Sequence, residues 1–569
     1  MSDSWPLRVP VGSDAHRWNT FPGERTLVVA ARTVTSTVRV LETLPSLVRG
    51  DGRVSVVFAY DPTSAFNGGV LELLRHAGCR VMPWGQLGDI APDLILSASE
   101  NIEVPEGDCP VLVLPHGVGF QKFVPDSRGS GERLSGIVPE SLLESGRAWL
   151  VVSHPAQEEQ LLAARPKAAG RTLLVGDPVL DELLVSRPRR AAYREALGVA
   201  KDQRLVMVSS TWGRTSLLGQ DPSLLQRLLA QLPFDEYRVG AIVHPNVWSA
   251  HGAWQVHTLQ AAALDAGLLL MPAAHAWRSG LVAADVLVGD HGSVTLYGAS
   301  MGVPLLLATF GADAVPGTAV HALAARAPRL DPLGDLLRQV EHVVHGHSPQ
   351  RYSAVADQAF AEPGRTLAGL RAVLYRLLRL PEPASPAPSA LMLPVADLPV
   401  SPVTSWQVNT VVAGAGEEIS VTVLRFPAAV CAFDETLPGS FRSFTHLACT
   451  TDESDPRLSG SASVLVRSAQ AGTVVEALRW IRDTLAEFPG SLLAASAVRQ
   501  GGCLVGLRDG RVVEVAATGV AGDPGLLAAV IYACLRTGHP LDDSQVLLRV
   551  GGGREHDVVL RLRPSLSAG

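Results

Sequence analysis

A chain of 569 residues is too long for a single hydrophobic core and sets an expectation of about three or four domains. With 47 % hydrophobic residues and a mean hydropathy of +0.20, intrinsic disorder is excluded as the default state. A net charge of −7 and a pI near 6.2 exclude a global basic field for nucleic acid or an anionic membrane, leaving only a local patch for such contacts.

In chain order, Arg25–Arg32 is an apolar β-run, and Thr35–Val48 follows with helical spacing at Val38, Leu41, Leu44 and Leu47. Val54–Tyr60 predicts a strand, Val70–His76 a helix, and Arg80–Pro83, Leu94–Ser97 and Pro110–Pro115 three further short strands. Such alternation builds a parallel sheet covered on both faces, with ligands at the carboxyl ends of the strands. Residues 20–185 therefore read as one Rossmann-like domain.

The pattern restarts with strand Arg204–Ser210, helix Leu224–Leu232, and strands Tyr237–Val243 and Leu268–Met271. Strand Val286–Val288 then runs through a tight turn, Gly289–Ser293, into helix Val294–Met301 and strand Pro304–Leu307. Residues 186–379 read as a second Rossmann-like domain. Two such domains facing each other across a cleft make the GT-B architecture of nucleotide-sugar transferases and some epimerases, in which the second lobe usually holds the nucleotide.

Residues 380–403, rich in Pro, Ala and Ser, read as a semi-extended linker. Beyond it, strand alternation in Ser405–Phe426 and an amphipathic helix over Val474–Phe488 come first. A hairpin over Gly502–Thr518 turning at Asp509-Gly510, a helix over Pro524–Leu535 and a last hairpin through Gly551–Gly553 follow. Residues 404–569 are thus expected to form a smaller α+β domain with no catalytic constellation, suited to oligomerisation or to a protein partner.

Six cysteines (79, 109, 431, 449, 503 and 534) show no metal-ligand spacing, the pattern of reduced thiols, and none is assigned to a metal. The only lysines are Lys122, Lys167 and Lys201, a bias of coding rather than of function. The opening stretch MSDSWPLRVPVGSDAHRW lacks the basic-then-apolar pattern of a signal peptide. No segment approaches the roughly 20 apolar residues of a membrane span. The expected location is cytoplasmic, with any membrane contact peripheral, at the inner face.

Candidate site residues stand where predicted strands end. His116 and Gly117 close PVLVLP, where an imidazole can take a proton from an attacking hydroxyl. His244 ends the Tyr237–Val243 strand and could donate to a leaving phosphate. Thr211 and Arg214 lie in the STWGR turn, where Arg could meet a diphosphate. The turn holding Asp290, Gly292 and Ser293 points free N–H groups and a positive helix end at its loop, which suits a pyrophosphate. The bland alternatives are a loop-capping His, a solvated Arg, and Asp290 or Ser293 as a helix cap.

From about His116 to Leu307 the order of motifs resembles the CDP-glycerol glycerophosphotransferase family, the teichoic-acid polymerases and primases. PHGVGFQK (His116, Gly117, Lys122) is similar to that family's HG strand end followed by Lys. VVSHP at Val151–Pro155 and GDPVLD at Gly176–Asp181 come next. The turn Ser210–Arg214, the strand end Val243-His244-Pro245, and Ala284–Leu306 with Asp290, Ser293 and Val294 complete the order.

The resemblance implies His116 as general base, and His244, Ser293 and the turn's N–H groups as stabilisers of the departing nucleotide. It implies no obligatory cofactor and no protein-bound metal; the substrate would be a nucleotide-diphosphate donor, a CDP-polyol or UDP-sugar. The acceptor would be a polymer or lipid-linked hydroxyl, and no nucleic acid is involved. The chain departs from the family at Pro115, Val118, His291, Gly292 and near Gly298. Two other readings stay open: an inactive GT-B shell that binds a nucleotide or a protein, and a nucleotide-sugar glycosyltransferase or epimerase.

Overall fold

The computed structural model describes residues 20–563 except 22, 126–130, 275, 396, 397, 399, 416, 417, 434–442, 500, 501, 519–522 and 552. The stretch that bears on a signal peptide, residues 1–18, lies outside the described residues. Strands β1 (Arg25–Ala31), β2 (Val54–Tyr60), β3 (Val81–Pro83), β4 (Leu94–Ser97), β5 (Val111–Val113), β8 (Ala148–Val152) and β9 (Thr172–Leu174) form one sheet in the order β3-β2-β1-β4-β5-β8-β9. A small antiparallel ribbon, β6 (Phe123–Pro125) and β7 (Glu132–Leu134), stands apart from it.

Because side chains alternate along a strand, β1 feeds two cores. Leu27, Val29 and Ala31 join Val40, Leu44 and Leu47 of helix Val34–Leu47, while Val28 and Ala30 join Phe120, Leu142 and Leu161 on the other face. The sheet is buried on both sides, as its continuous apolar strands demand. Strand order reverses between β1 and β4, and a crevice opens there at the carboxyl ends.

The second sheet holds β10 (Arg204–Ser210), β11 (Tyr237–Val243), β12 (Leu269–Leu270), β13 (Val286–Gly289) and β14 (Leu305–Leu307), in the order β12-β11-β10-β13-β14. Its strands pair parallel throughout. Helix Thr366–Leu378 returns to the first lobe, where Leu370, Leu374 and Tyr375 pack with Leu44 and Leu47. Arg25 Nε donates to the Leu378 carbonyl at 2.8 Å and fixes that return. The Pro/Ala-rich stretch that follows is laid along the protein: the Leu393 N–H donates to Ser186 Oγ at 2.9 Å, and Tyr193 donates to the Leu393 carbonyl at 2.8 Å.

The expectation of a simple α+β domain at the C-terminus is corrected by a closed nine-stranded barrel. It comprises β15 (Ser405–Ala415), β16 (Glu418–Pro427), β17 (Ser443–Thr450), β18 (Val464–Val466), β19 (Leu493–Ala497), β20 (Cys503–Leu507), β21 (Val512–Ala517), β22 (Ser544–Val550) and β23 (Arg554–Leu562). Closure depends on two long-range pairings, β15 antiparallel to β17 and β16 parallel to β22, which local alternation cannot announce.

Helix Pro524–Thr537 packs against β15 through β20 and is buried at every residue from Gly525 to Cys534. A helix apolar all round belongs in such an interior. Arg425 on β16 ties barrel to second lobe, pairing with Asp235 at 2.6 Å and Asp523 at 2.8 Å. Among the described residues, no helix is long and apolar enough to cross a membrane.

Candidate functional site

Between the two sheets lies a cavity of about 580 Å³, lined by the loops that leave the carboxyl ends of both sets of strands. His116, Gly117 and Lys122 line it from the first lobe, and Thr211, His244, Gly292, Ser293 and Val294 from the second. Arg214 is exposed and Asp290 fully buried, and neither lines the cavity.

His116 follows β5, and its Nδ1 stands 3.1 Å from the Ala98 carbonyl oxygen. A carbonyl can only accept, so in the neutral ring Nδ1 carries the proton and Nε2 keeps a lone pair. Glu100 Oε2 lies 3.8 Å from the same Nδ1, close enough to stabilise an imidazolium once formed. Arg133 donates twice to Glu100 Oε1, at 3.2 Å each. Burial would raise the Glu100 carboxyl, yet His116 and Arg133 beside it hold it below its ordinary value. Glu100, one loop turn past β4, escaped the sequence reading; its position beyond a strand end was the available signal.

His244 has the opposite tautomer. It caps helix Pro245–Leu259, its Nδ1 accepting from the Asn246 N–H at 3.1 Å, so in the neutral ring Nε2 carries the proton. Burial, with His116 and Lys122 nearby, pulls its pKa down to about 3, and the ring is neutral at ordinary pH. One imidazole therefore offers a lone pair and the other an N–H.

The turn after β13 is built around Asp290. Its Oδ2 accepts from the Thr211 N–H at 2.7 Å and the Leu217 N–H at 3.0 Å, and its Oδ1 from the Gly292 N–H at 2.9 Å. Asp290 thus shapes this turn without reaching the cavity. Ser293 opens helix Ser293–Ser300 and accepts from the Val118 N–H of the opposite lobe at 3.1 Å. A Cβ at Gly117 would stand 2.7 Å from Ser293 Oγ, so the close approach needs glycine. At Gly298 a Cβ would meet Leu287 at 2.3 Å, leaving no room there for an acidic side chain.

His291 is structural. Its Nδ1 accepts from the Gly311 N–H at 3.2 Å, and Nε2 faces Asp313 Oδ1 at 3.1 Å. Asp313 also meets Lys122 from the first lobe at 3.0 Å, and Lys122 lies 5.3 Å from the Trp212 ring centroid. Burial opposes ionisation of Asp313, but His291 and Lys122 hold its carboxyl well below the carboxylate range. Backbone pairing reinforces this bridge: the Phe123 N–H donates to Asp313 O at 2.7 Å, and the Val315 N–H to Gln121 O at 3.0 Å.

In the GDPVLD segment both carboxylates serve the fold. Asp177 caps helix Pro178–Ser186 and accepts from Tyr297 Oη at 2.8 Å, and Asp181 accepts from the Thr366 N–H at 3.1 Å. Asp313, Arg39 and Tyr297 carried no motif in the sequence, because each acts through partners far away in the chain. Among the described residues, no group of three or more His, Cys, Asp or Glu is arranged to hold a metal ion.

No family model matches the chain, and no curated protein matches it. Among solved structures it is similar to the wall teichoic acid polymerase TagF, with 12% identity, a TM-score of 0.44, and coverage of 63% of this chain and 89% of that one. A UDP-GlcNAc 2-epimerase from Neisseria meningitidis bound to UDP-GlcNAc matches with 11% identity, a TM-score of 0.36, and coverage of 62% and 99%. A glycosyltransferase from Rickettsia africae matches with 10% identity, a TM-score of 0.36, and the same coverage. Identities and TM-scores this low assign neither family nor activity to the chain.

Proposed function

We propose that the protein is a transferase that moves a polyol phosphate, glycerol- or ribitol-phosphate, from a CDP-activated donor to a hydroxyl of a wall-polymer or lipid-linked acceptor. What carries the reading is the complementary pair of tautomers on one cavity: His116 with a bare Nε2, His244 with a protonated one. The order of motifs from His116 to Leu307 supports the polyol-phosphate class.

In this reading the acceptor hydroxyl loses its proton to His116 Nε2 as its oxygen attacks the polyol-bearing phosphorus. The P–O bond to CMP breaks, and the growing negative charge falls to the His244 Nε2–H and the N–H groups of the Ser293 turn. Glu100 stabilises the His116 imidazolium that results. A neutral His244 supplies a hydrogen bond to the departing phosphate without the cost of burying a second positive charge beside Lys122.

Thermal denaturation with CDP-glycerol, CDP-ribitol and UDP-sugars tests the donor, since a ligand that binds only the folded state must raise Tm. A rise with the CDP-polyols, and CMP release on adding an acceptor, is the expected result. A rise with UDP-sugars alone would replace the reading with a glycosyltransferase or epimerase. No rise with any of them would leave a shell without this donor.

A further inference from the structure

We propose that Arg133 is a positioning residue for His116, and that the ribbon carrying it ties the proton-accepting histidine to the docking of the two lobes. The inference rests on the transferase reading above and adds a control to it: the base is complete only while the lobes are docked.

The ribbon of β6 and β7 belongs to the first lobe by sequence and to the second by contact. Strand β6 follows directly on the loop that bears His116. The Phe123 N–H donates to the Asp313 carbonyl at 2.7 Å and the Val315 N–H to the Gln121 carbonyl at 3.0 Å, so residues 313–315 of the second lobe pair antiparallel with this stretch. Gln121, buried, also accepts through Oε1 from the Val320 N–H of helix Ala319–Ala324 at 3.1 Å. The Lys122–Asp313 ion pair lies at the same crossing.

On the return strand, Arg133 stands opposite Val124 and turns its guanidinium to Glu100 of the first lobe. Nη1 and Nη2 both donate to Glu100 Oε1 at 3.2 Å, which leaves Oε2 to the His116 ring, 3.8 Å from its Nδ1. Just beyond β7, the Gly136 N–H also favours the ionised carboxylate. A carboxylate this buried stays charged and in place only while such donors surround it. The ribbon, and not the sheet from which Glu100 springs, supplies both of these.

A second observation marks the junction. Phe120, between the histidine loop and β6, is buried with φ of +61°, a left-handed conformation uncommon for an aromatic residue. Its carbonyl accepts from Gln160 Nε2 at 2.6 Å, and a Cβ at Gly136 would stand 2.9 Å from its ring. Strain of this kind persists only where surrounding contacts impose it, and here it sits where the chain passes from one lobe to the other. Undocked, the ribbon would carry Arg133 away from Glu100, and the imidazolium formed at His116 would lose its counter-charge. Proton transfer then waits for docking, which keeps an open enzyme from using water in place of the acceptor.

Hydrogen exchange on the full chain without ligand, and CMP release from CDP-glycerol with a lipid-linked hydroxyl acceptor, test the proposal together. Asp313→Asn and Gln121→Met loosen the ribbon from the second lobe, while Arg133→Gln and Arg133→Lys act at its other end. We expect the first two to speed exchange at residues 132–136 and 98–101 as well as at 121–125. Arg133→Gln should lower kcat about tenfold with the KM for CDP-glycerol unchanged, and Arg133→Lys should recover part of the loss. Adding Asp313→Asn to Arg133→Gln should cost no more, since both break one chain of contacts. Faster exchange confined to 121–125, or losses that multiply in the double variant, overturns the coupling. A wild-type kcat in Arg133→Gln overturns the positioning role. Faster exchange reaching 98–101 in a protein whose wild type releases no CMP would uphold the coupling and sink the transferase reading.

Discussion

The hydroxyl of Ser293 accepts a hydrogen bond from the Val118 N–H at 3.1 Å, so the turn that opens a helix of one lobe is joined to the histidine-bearing loop of the other. Only Gly117 permits this, since a methyl there would stand 2.7 Å from the Ser293 oxygen. Gly117→Ala should therefore part the lobes at the site, and Ser293→Ala should remove the bond while leaving the chain folded. Both are expected to raise the KM for a CDP-polyol, on the order of tenfold for the loss of one hydrogen bond that holds the proposed donor-binding turn. Initial-rate kinetics decide it: an unchanged KM in Ser293→Ala removes this residue from the donor site.

On the proposed mechanism, His116→Ala should abolish transfer with donor binding nearly intact, because His116 lines the cavity and would take the acceptor's proton. A lost general base costs about 10²–10⁴ in kcat. Glu100→Gln should cost less, since it leaves the Ala98 carbonyl to hold the ring. Single-turnover rates beside CDP-glycerol affinity separate the two effects. Unchanged turnover in His116→Ala would remove the general-base role.

The parallel strands were legible because each is a short, mostly apolar run between turns; β2, β4, β10 and β11 fall on the residues their sequence predicts. His116, His244 and Ser293 were legible for a related reason, as polar residues at the ends of such runs. What local pattern could not supply was partnership across distance. Arg39 sits on helix Val34–Leu47 and carries no motif of its own, yet it meets Asp177 and Tyr297 from remote segments. The barrel was hidden in the same way, because Ile419 and Val546 become neighbours only when nine strands close.

Asp290 should matter to stability more than its absence from the cavity suggests. It accepts from three backbone N–H groups, those of Thr211, Leu217 and Gly292. Asp290→Ala would leave three buried donors unpaired at about 1–3 kcal/mol each. Asp290→Asn should not rescue it, because one carboxylate oxygen becomes an NH₂ facing N–H donors. Denaturant unfolding should show a loss of at least about 3 kcal/mol in the alanine variant. A loss below about 1 kcal/mol, the size of a surface change, would mean the turn holds its shape without this carboxylate.

The barrel carries its own acid sensitivity. His446 on β17 is 4 % exposed, lies 4.1 Å from the Tyr532 ring between centroids, and has neither ring nitrogen hydrogen-bonded. Burial pulls its pKa from 6.5 to about 3. Between those values the unfolded chain binds a proton that the folded barrel does not, so stability rises with pH across that window. The contribution is whole above pH 6.5 and is lost progressively as the pH falls toward 3. His446→Phe keeps the ring contact and removes the titration, and comparing it with the wild type cancels the other groups. Relative to the variant, the wild type should lose stability by up to about 1.4 kcal/mol per pH unit on acidification below pH 6. Urea unfolding at intervals from pH 4 to 8 measures it, and parallel curves for the two proteins across that range would mean that His446 protonates as readily folded as unfolded.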